Sequence, residues 1–418
     1  MHDFFPESFG ARADGNAKDT AAVQAAIDEA GRAAASGPGG ARAVLARGTY
    51  LCGALRLRSG VELHVAEGAR LLASPDIADF PDFPGARHVT AVACPRSRNA
   101  AFLFADECED VVLSGGGVVD GNGGAHVRRK TDPDWTGWEF ERVRPMSESL
   151  PRVIFLAGCR GVRVEDVSLE NGPAGWGYWI HDCDDVLCRR LRVRCDVRYP
   201  NNDGIHVNCS RDVEISDCDI ECGDDAIVVR ANSRSLRENR PCERVRAHDC
   251  RLRSWAGGIR VGWHCDGVVR DCEFRRISMR DSSYGIEMFL PKKPGNPDFG
   301  REASRIERLL FEDVEMEGVR AYPLEAYVDP GAETRVEAVR DVAFRRVRAS
   351  ARLLPRAWGR EGDPLRNFLF EDCEFRRLPE RDVADWRRHG TSSRVPEPHE
   401  GFRFVEGFRF ERTVFSAS

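Results

Sequence analysis

The sequence predicts an all-β, single-domain, right-handed parallel β-helix with an N-terminal capping helix, and three observations carry that prediction. Short phrases with alternating apolar and polar residues recur along the chain: VRVEDVSLEN, LCRRLRVRC, VEISDCDIEC, VRAHDCRLRS, VRDCEFRRIS, LLFEDVEMEG and VAFRRVRAS, at intervals of roughly 20 to 35 residues. Between them stand second short strands, GIHVN, AIVVR, GIRVG and GIEMF, so each unit supplies at least two strands and no helix. Such units cannot build a doubly wound fold, but they can coil, each turn burying its inner face on its neighbours. The third observation is the stretch DTAAVQAAIDEAGRAAA, from Asp19 to Ala35, the one strong amphipathic helix.

Taken in order, residues 1–75 form the cap and first coils. Asp19 or Thr20 is the expected N-cap, and Val23, Ala26, Ile27 and Ala30 lie on one face that would close the open end of the coil. Residues 76–355 form the central coils with the candidate site. From Arg356 to Ser418 the regular period is lost, and a looser end is expected there. No linker divides the 418 residues.

Composition narrows the function. The 62 Lys and Arg against 68 Asp and Glu give a net charge of −6 spread along the chain, with no basic stripe for nucleic acid. Only Lys18, Lys130, Lys292 and Lys293 are lysines; the arginine excess reads as base composition rather than a binding surface. No run of about 18 apolar residues suggests a membrane span, and the opening HDFFPESFGARADG lacks the regions of a secretory signal, so an intracellular protein is expected unless a leader has been removed. The 15 cysteines are scattered without CxxC pairs or zinc spacing. Cys159, Cys183, Cys242 and Cys265 fall at matching points of the repeated phrases, as buried thiols in a core stack would.

Stacked turns place equivalent residues about 4.8 Å apart. The inward pairs Ile205/Val207, Ile227/Val229, Ile259/Val261 and Ile286/Met288 set the register. Two residues before each pair lies a column of Asp203, Asp225, Gly257 and Tyr284, with Asp224 turned elsewhere at the same corner. Each Asp alone reads as a turn residue. Three converging carboxylates are different, because like charges at strand spacing are destabilising and raise at least one pKa. Two could hold a water while a third, protonated, donates to a leaving oxygen, as in glycoside hydrolysis; a calcium site is the rival. A second, outward column reads His206, Val228, Arg260 and Glu287. Arg260 and Glu287 could form a cross-strand ion pair, and His206 could meet sugar hydroxyls or sit on the surface. His181 and His264 are weaker candidates. Trp176, Tyr178, Trp179, Trp255, Trp263, Tyr284 and Phe289 fall in the same turns, divided between sugar stacking and core packing.

At this point the chain resembles glycoside hydrolase family 28, the polygalacturonases and rhamnogalacturonases. The resemblance lies in FGARADGNAKDTAAVQAAIDEA at the start, GGGVVDGNG at 115–123, RVIFLAGCRGVRVEDVSLENGPAGWGYWIH at 152–181 and PNNDGIHVNCSRDVEISDCDIECGDDAIVV at 200–229. It implies a pectin-lyase-like β-helix, an inverting hydrolase acting on oligosaccharide or polysaccharide, and no cofactor or metal. Carried over by position, Asp224 is the general acid, and Asp203 and Asp225 activate water. His206, Arg260, His264, Tyr284, Glu287 and Trp179 are candidate substrate contacts. The chain departs from the family pattern twice: Gly257 stands where the Gly-His-Gly motif has its histidine, and Glu287 to Phe289 stand where an Arg-Ile-Lys motif binds a uronate carboxylate. An acid there repels a uronate, so either Arg260 and His264 partly replace what is lost or the sugar is uncharged. Exo action on imported oligosaccharides is the leading expectation. A polysaccharide lyase, with Arg260 as base, and a non-catalytic glycan-binding β-helix are the alternatives.

Overall fold

The computed structural model describes residues 2–37, 40–83, 100–132, 138–145, 148–150, 152–263, 265–290, 300–330, 335–383 and 400–417. The alternating phrases are strands and the chain winds as a right-handed parallel β-helix. Eleven strands form one parallel sheet, running from Leu55–Arg56 to Gly401–Arg403 in chain order, and 24 more form the other faces of the coil. Inward side chains from all faces merge into one apolar core that extends from Val23 to Phe375. A helix over Thr20–Ser36 covers one end, with Val23, Ala26, Ile27 and Ala30 fully buried. Asp19 stands at its N-cap position but caps the preceding loop instead: its carboxylate accepts the backbone N–H of Arg12 at 2.8 Å and of Ala13 at 2.9 Å. All fourteen cysteines among the described residues are buried thiols.

The corners between faces are built from aspartates and arginines in the left-handed region. Asp166, Arg190, Asp217, Asp249, Arg276, Asp313, Arg346, Asp372 and Arg412 occupy one corner in successive turns, all with φ between 48° and 60°. Aspartate tolerates this conformation better than most side chains. Each arginine reaches back to the aspartate of the turn before, as Arg276 does to Asp249 at 2.7 Å and Arg346 to Asp313 at 2.6 Å. Such exposed pairs are individually weak, but a slip of one residue would break all of them, so they reinforce register. The arginine excess therefore has a structural use.

Strand pairing continues past Arg356. Arg356–Trp358, Leu365–Glu371 and Glu374–Arg377 pair in register with the turn before, and Arg409–Glu411 and Val414–Ala417 pair with these in turn. On the 24-stranded sheet a phenylalanine ladder, Phe274, Phe311, Phe344, Phe370 and Phe410, runs through these turns in register with centroids 4.9–5.2 Å apart. Stacked rings maintain the register after the aliphatic pattern stops. No helix among the described residues is long and apolar enough to cross a membrane.

Candidate active site

The site lies on the outer side of the eleven-stranded sheet. Its register pairs Ile205 with Ile227, Ile227 with Ile259 and Ile259 with Ile286, and places His206, Val228, Arg260 and Glu287 in one file. Asp203 and Asp225 precede two of these strands, and the N–H of Gly204 donates to the Asp225 carbonyl at 2.9 Å. The corner is held by Asn202, which is fully buried. Its amide donates to the Asp196 carbonyl at 2.9 Å and its Oδ1 accepts the N–H of Gly223. Any side chain at Gly223 would fall onto the Tyr199 carbonyl and Asn202 Oδ1, so the glycine of GDD is required by a close approach. An outlying hairpin, Val127–Arg129 with Phe140–Arg142, clamps this corner from outside the coil. Trp138 Nε1 donates to the Gly223 carbonyl at 2.8 Å, and Arg142 donates to Asn201 Oδ1 at 2.7 Å.

Asp203, Asp224 and Asp225 are each at most 9% exposed. Asp224 accepts the Asn201 amide at 3.1 Å and the N–H of Asp225 at 3.1 Å. Asp225 accepts the N–H of Gly257 at 2.8 Å through Oδ1 and pairs with Arg260 Nε at 2.7 Å through Oδ2. Arg260 Nη2 donates to Glu287 Oε2, also at 2.7 Å, and its guanidinium lies 4.6 Å from the centre of the Trp263 ring. Asp203 Oδ2 is 3.2 Å from His206 Nδ1. The second column is thus buried, with His206 at 3%, Arg260 at 6% and Glu287 at 0% exposure. Of the two readings of His206, a surface position does not hold.

Burial, and then the charges of Asp224 and Asp225, push the Asp203 carboxyl well above the usual range, with Arg260 acting against them. Burial also pushes His206 well below its ordinary value, and Arg230, Arg152 and Arg260 add to this. A neutral His206 beside a protonated Asp203 accepts that proton's hydrogen bond at Nδ1 and keeps its own proton on Nε2. For Arg260, burial disfavours the charge, but Asp225, Glu287, Asp224 and Asp203 outweigh it and hold the proton more firmly. Because the folded value of Asp203 lies above its unfolded value, this residue costs stability at every pH above about 4; the cost is absent below that and grows as pH rises towards the folded value. Asp203→Asn is therefore expected to stabilise the fold at pH 7, by about 1 kcal/mol, with the gain shrinking towards pH 4 in urea titrations. A variant less stable than wild type at pH 7 would contradict this.

The other candidates separate. Trp179 packs on His206 with centroids 4.4 Å apart and stacks on Trp176 at 4.5 Å. Arg152, fully buried, sits against Phe155, Trp176 and Trp179. Tyr284 pairs with Gly257 in register but packs with Tyr322 and Leu353. Tyr178 belongs to the core. His181 accepts from Asn208 Nδ2 at Nδ1 and faces Ser235 Oγ through Nε2 at 3.0 Å, so its proton points at the serine and it cannot serve as that hydroxyl's base. His264 lies outside the described residues. Among the described residues no group of three or more His, Cys, Asp or Glu is arranged to hold a metal ion; the cation inside the acidic cluster is Arg260. Sequence reasoning missed Asn201, Asn202, Arg142 and Trp138. The Asn-Asn before Asp203 was a usable signal, whereas nothing local marks Trp138 and Arg142, which act 85 and 59 residues away.

Fold and site together define a class: parallel β-helix proteins with a carboxylate cluster on the outer side of one sheet. Residues 88–352 match the Glycosyl hydrolases family 28 model. The chain belongs to that family. It is 26% identical over 286 residues to a probable polygalacturonase of Vitis vinifera, covering 67% of this chain and 55% of that one. With an exo-poly-alpha-D-galacturonosidase of Dickeya chrysanthemi it shares 23% over 300 residues, covering 63% and 48%. The chain thus spans about half the length of the curated relatives it matches. Its fold is similar to that of a hyperthermoactive exopolygalacturonase from Thermotoga maritima, with a TM-score of 0.69 at 21% identity over 90% of this chain and 87% of that one.

Proposed function

We propose that the chain is an inverting, exo-acting glycoside hydrolase that removes an uncharged terminal sugar from oligosaccharides, with Asp224 as general acid and Asp203 and Asp225 activating the water. The observation that carries this reading is the convergence of three buried aspartates, one of them tied to a guanidinium. Asp225, held by Arg260 and the Gly257 N–H, is kept as a carboxylate suited to a base. After burial, the Asp224 charge is the largest cause of the rise at Asp203, so the two interact as they titrate, and in this reading a proton resting on Asp203 passes to Asp224 before the bond breaks. His206 Nε2 is a buried atom with no hydrogen-bond partner among the described residues.

Two features support the finer reading. The outward file of the sheet is buried at every position from Phe104 through Phe155, Trp179, His206, Val228, Arg260, Glu287 and Glu325 to Arg356, whereas an open polymer-binding groove would expose its floor over several turns. Asp225 and Glu287 also outnumber the one guanidinium between them, leaving an acidic surround that disfavours a uronate. Arg260 cannot act as a lyase base, because its proton is held by these carboxylates. The test is a panel of oligosaccharides ending in neutral sugars or galacturonate, alongside polymeric substrates. Single sugars released from neutral ends, with polymer viscosity unchanged, are expected. A fast viscosity drop, preference for galacturonate ends, or an unsaturated product absorbing in the ultraviolet would each overturn part of the reading.

A further inference from the structure

Gly257 and Glu287 are the two positions where the site departs from its family's pattern, and the structure joins them. They lie in adjacent turns of the sheet, at residues 257 and 287 of strands Gly257–Val261 and Tyr284–Leu290. A Cβ built on Gly257 would stand 2.6 Å from Glu287 Oε2 and 2.8 Å from Asp225 Oδ1, closer than real Cβ atoms approach such oxygens. The Glu287 carboxylate therefore fills the space that a side chain at 257 would need. From there Oε2 accepts Arg260 Nη2 at 2.7 Å, while Arg260 Nε faces Asp225 at 2.7 Å. Neither Arg260 nor Glu287 is left facing the cleft as a bare charge.

We propose that Gly257 and Glu287 act as one positioning device: the missing side chain at 257 admits the Glu287 carboxylate, which holds Arg260 against Asp225 and so sets the protonation of that aspartate. The departure at 287 then concerns the base as well as the charge that a substrate meets. This rests on the reading of Asp225 as a water-activating base. The charged and titratable groups about Asp225 are Asp203 from the preceding turn, Cys222 and Asp224 from its own, Arg260 from the next and Glu287 from the one after. Glu287 acts on it in two opposed ways: its negative charge weakens the pull of Arg260, and its hydrogen bond keeps Arg260 in place.

Two substitutions separate these effects. Glu287→Gln keeps an acceptor for Arg260 and removes the charge, so Arg260 holds Asp225 ionised to lower pH and the acid limb of kcat/KM moves down by about one unit. Glu287→Ala releases Arg260, so the acid limb moves up and kcat falls on the order of 10²-fold. A residue that only supported the fold would move neither limb; an unshifted acid limb in both variants, or shifts of the same sign, overturns the proposal. A second arm does not depend on turnover. Gly257→Ala is expected to lower the melting temperature in the wild-type background and clearly less in Glu287→Ala, because the nearer of the two carboxylates it meets is gone. Equal losses in both backgrounds overturn the shared-space argument. If no substrate is turned over by the wild type, the reading of Asp225 fails, while this arm still decides whether the two positions are coupled.

Discussion

Asp224→Asn and Asp225→Asn are each expected to lower turnover by about 10²- to 10⁴-fold, the range lost when a general acid or base is removed, while the fold stays intact. Asparagine has the shape of aspartate and can still accept the N–H groups that hold each side chain, from Asn201 and Asp225 for residue 224 and from Gly257 for residue 225. The losses should appear in kcat more than in KM, since these groups act on the reacting bond. Far-ultraviolet circular dichroism and melting temperature check the fold, and rates on an oligosaccharide identified from the panel check the chemistry. Near-wild-type activity in both variants would remove the assignment.

The second large effect falls on stability. Arg260→Met takes away the guanidinium that Asp225 and Glu287 share, leaving two buried carboxylates without their cation. Breaking a buried ion pair from one side costs about 3–5 kcal/mol, and the packing of Arg260 on Trp263 is lost as well. The sign of the pH dependence follows from linkage. Without Arg260 the folded-state carboxylates take up protons at higher pH than the unfolded ones do, so the loss is greatest near neutrality and shrinks as pH falls towards 4. Urea unfolding at pH 7 and pH 4.5 measures both. A loss under about 1 kcal/mol at pH 7 would show that the pair is not integral to the fold.

These variants also mark how far the sequence could be read. The register of the site was legible because Ile205, Ile227, Ile259 and Ile286 must face the core, and a shift of one residue would turn each to the outside. The file from His206 to Glu287 followed directly from it. Burial of that file was not legible, since what covers a sheet's outer face comes from segments far along the chain, and so His206 was left between a sugar contact and a surface position. Arg142 and Trp138 escaped for the same reason: they sit on a hairpin with no part in the repeat. Past Arg356 the aliphatic pairs stop, but on the other sheet Phe370 stacks on Phe410 and Phe375 on Phe415, and pattern matching on Ile and Val could not see it. The two departures at 257 and 287 were visible separately. Their connection needed three dimensions, because only the folded coil places Glu287 Oε2 where a Cβ of residue 257 would stand.

The central claim is single displacement by a water held among buried aspartates, and proton NMR of the first-formed sugar tests it most directly. With an anomerically pure oligosaccharide from the panel, the released sugar should appear first with the configuration opposite to that of the bond cleaved, and mutarotation should follow only later. A first product of retained configuration would contradict the account and require one aspartate to act as a nucleophile instead.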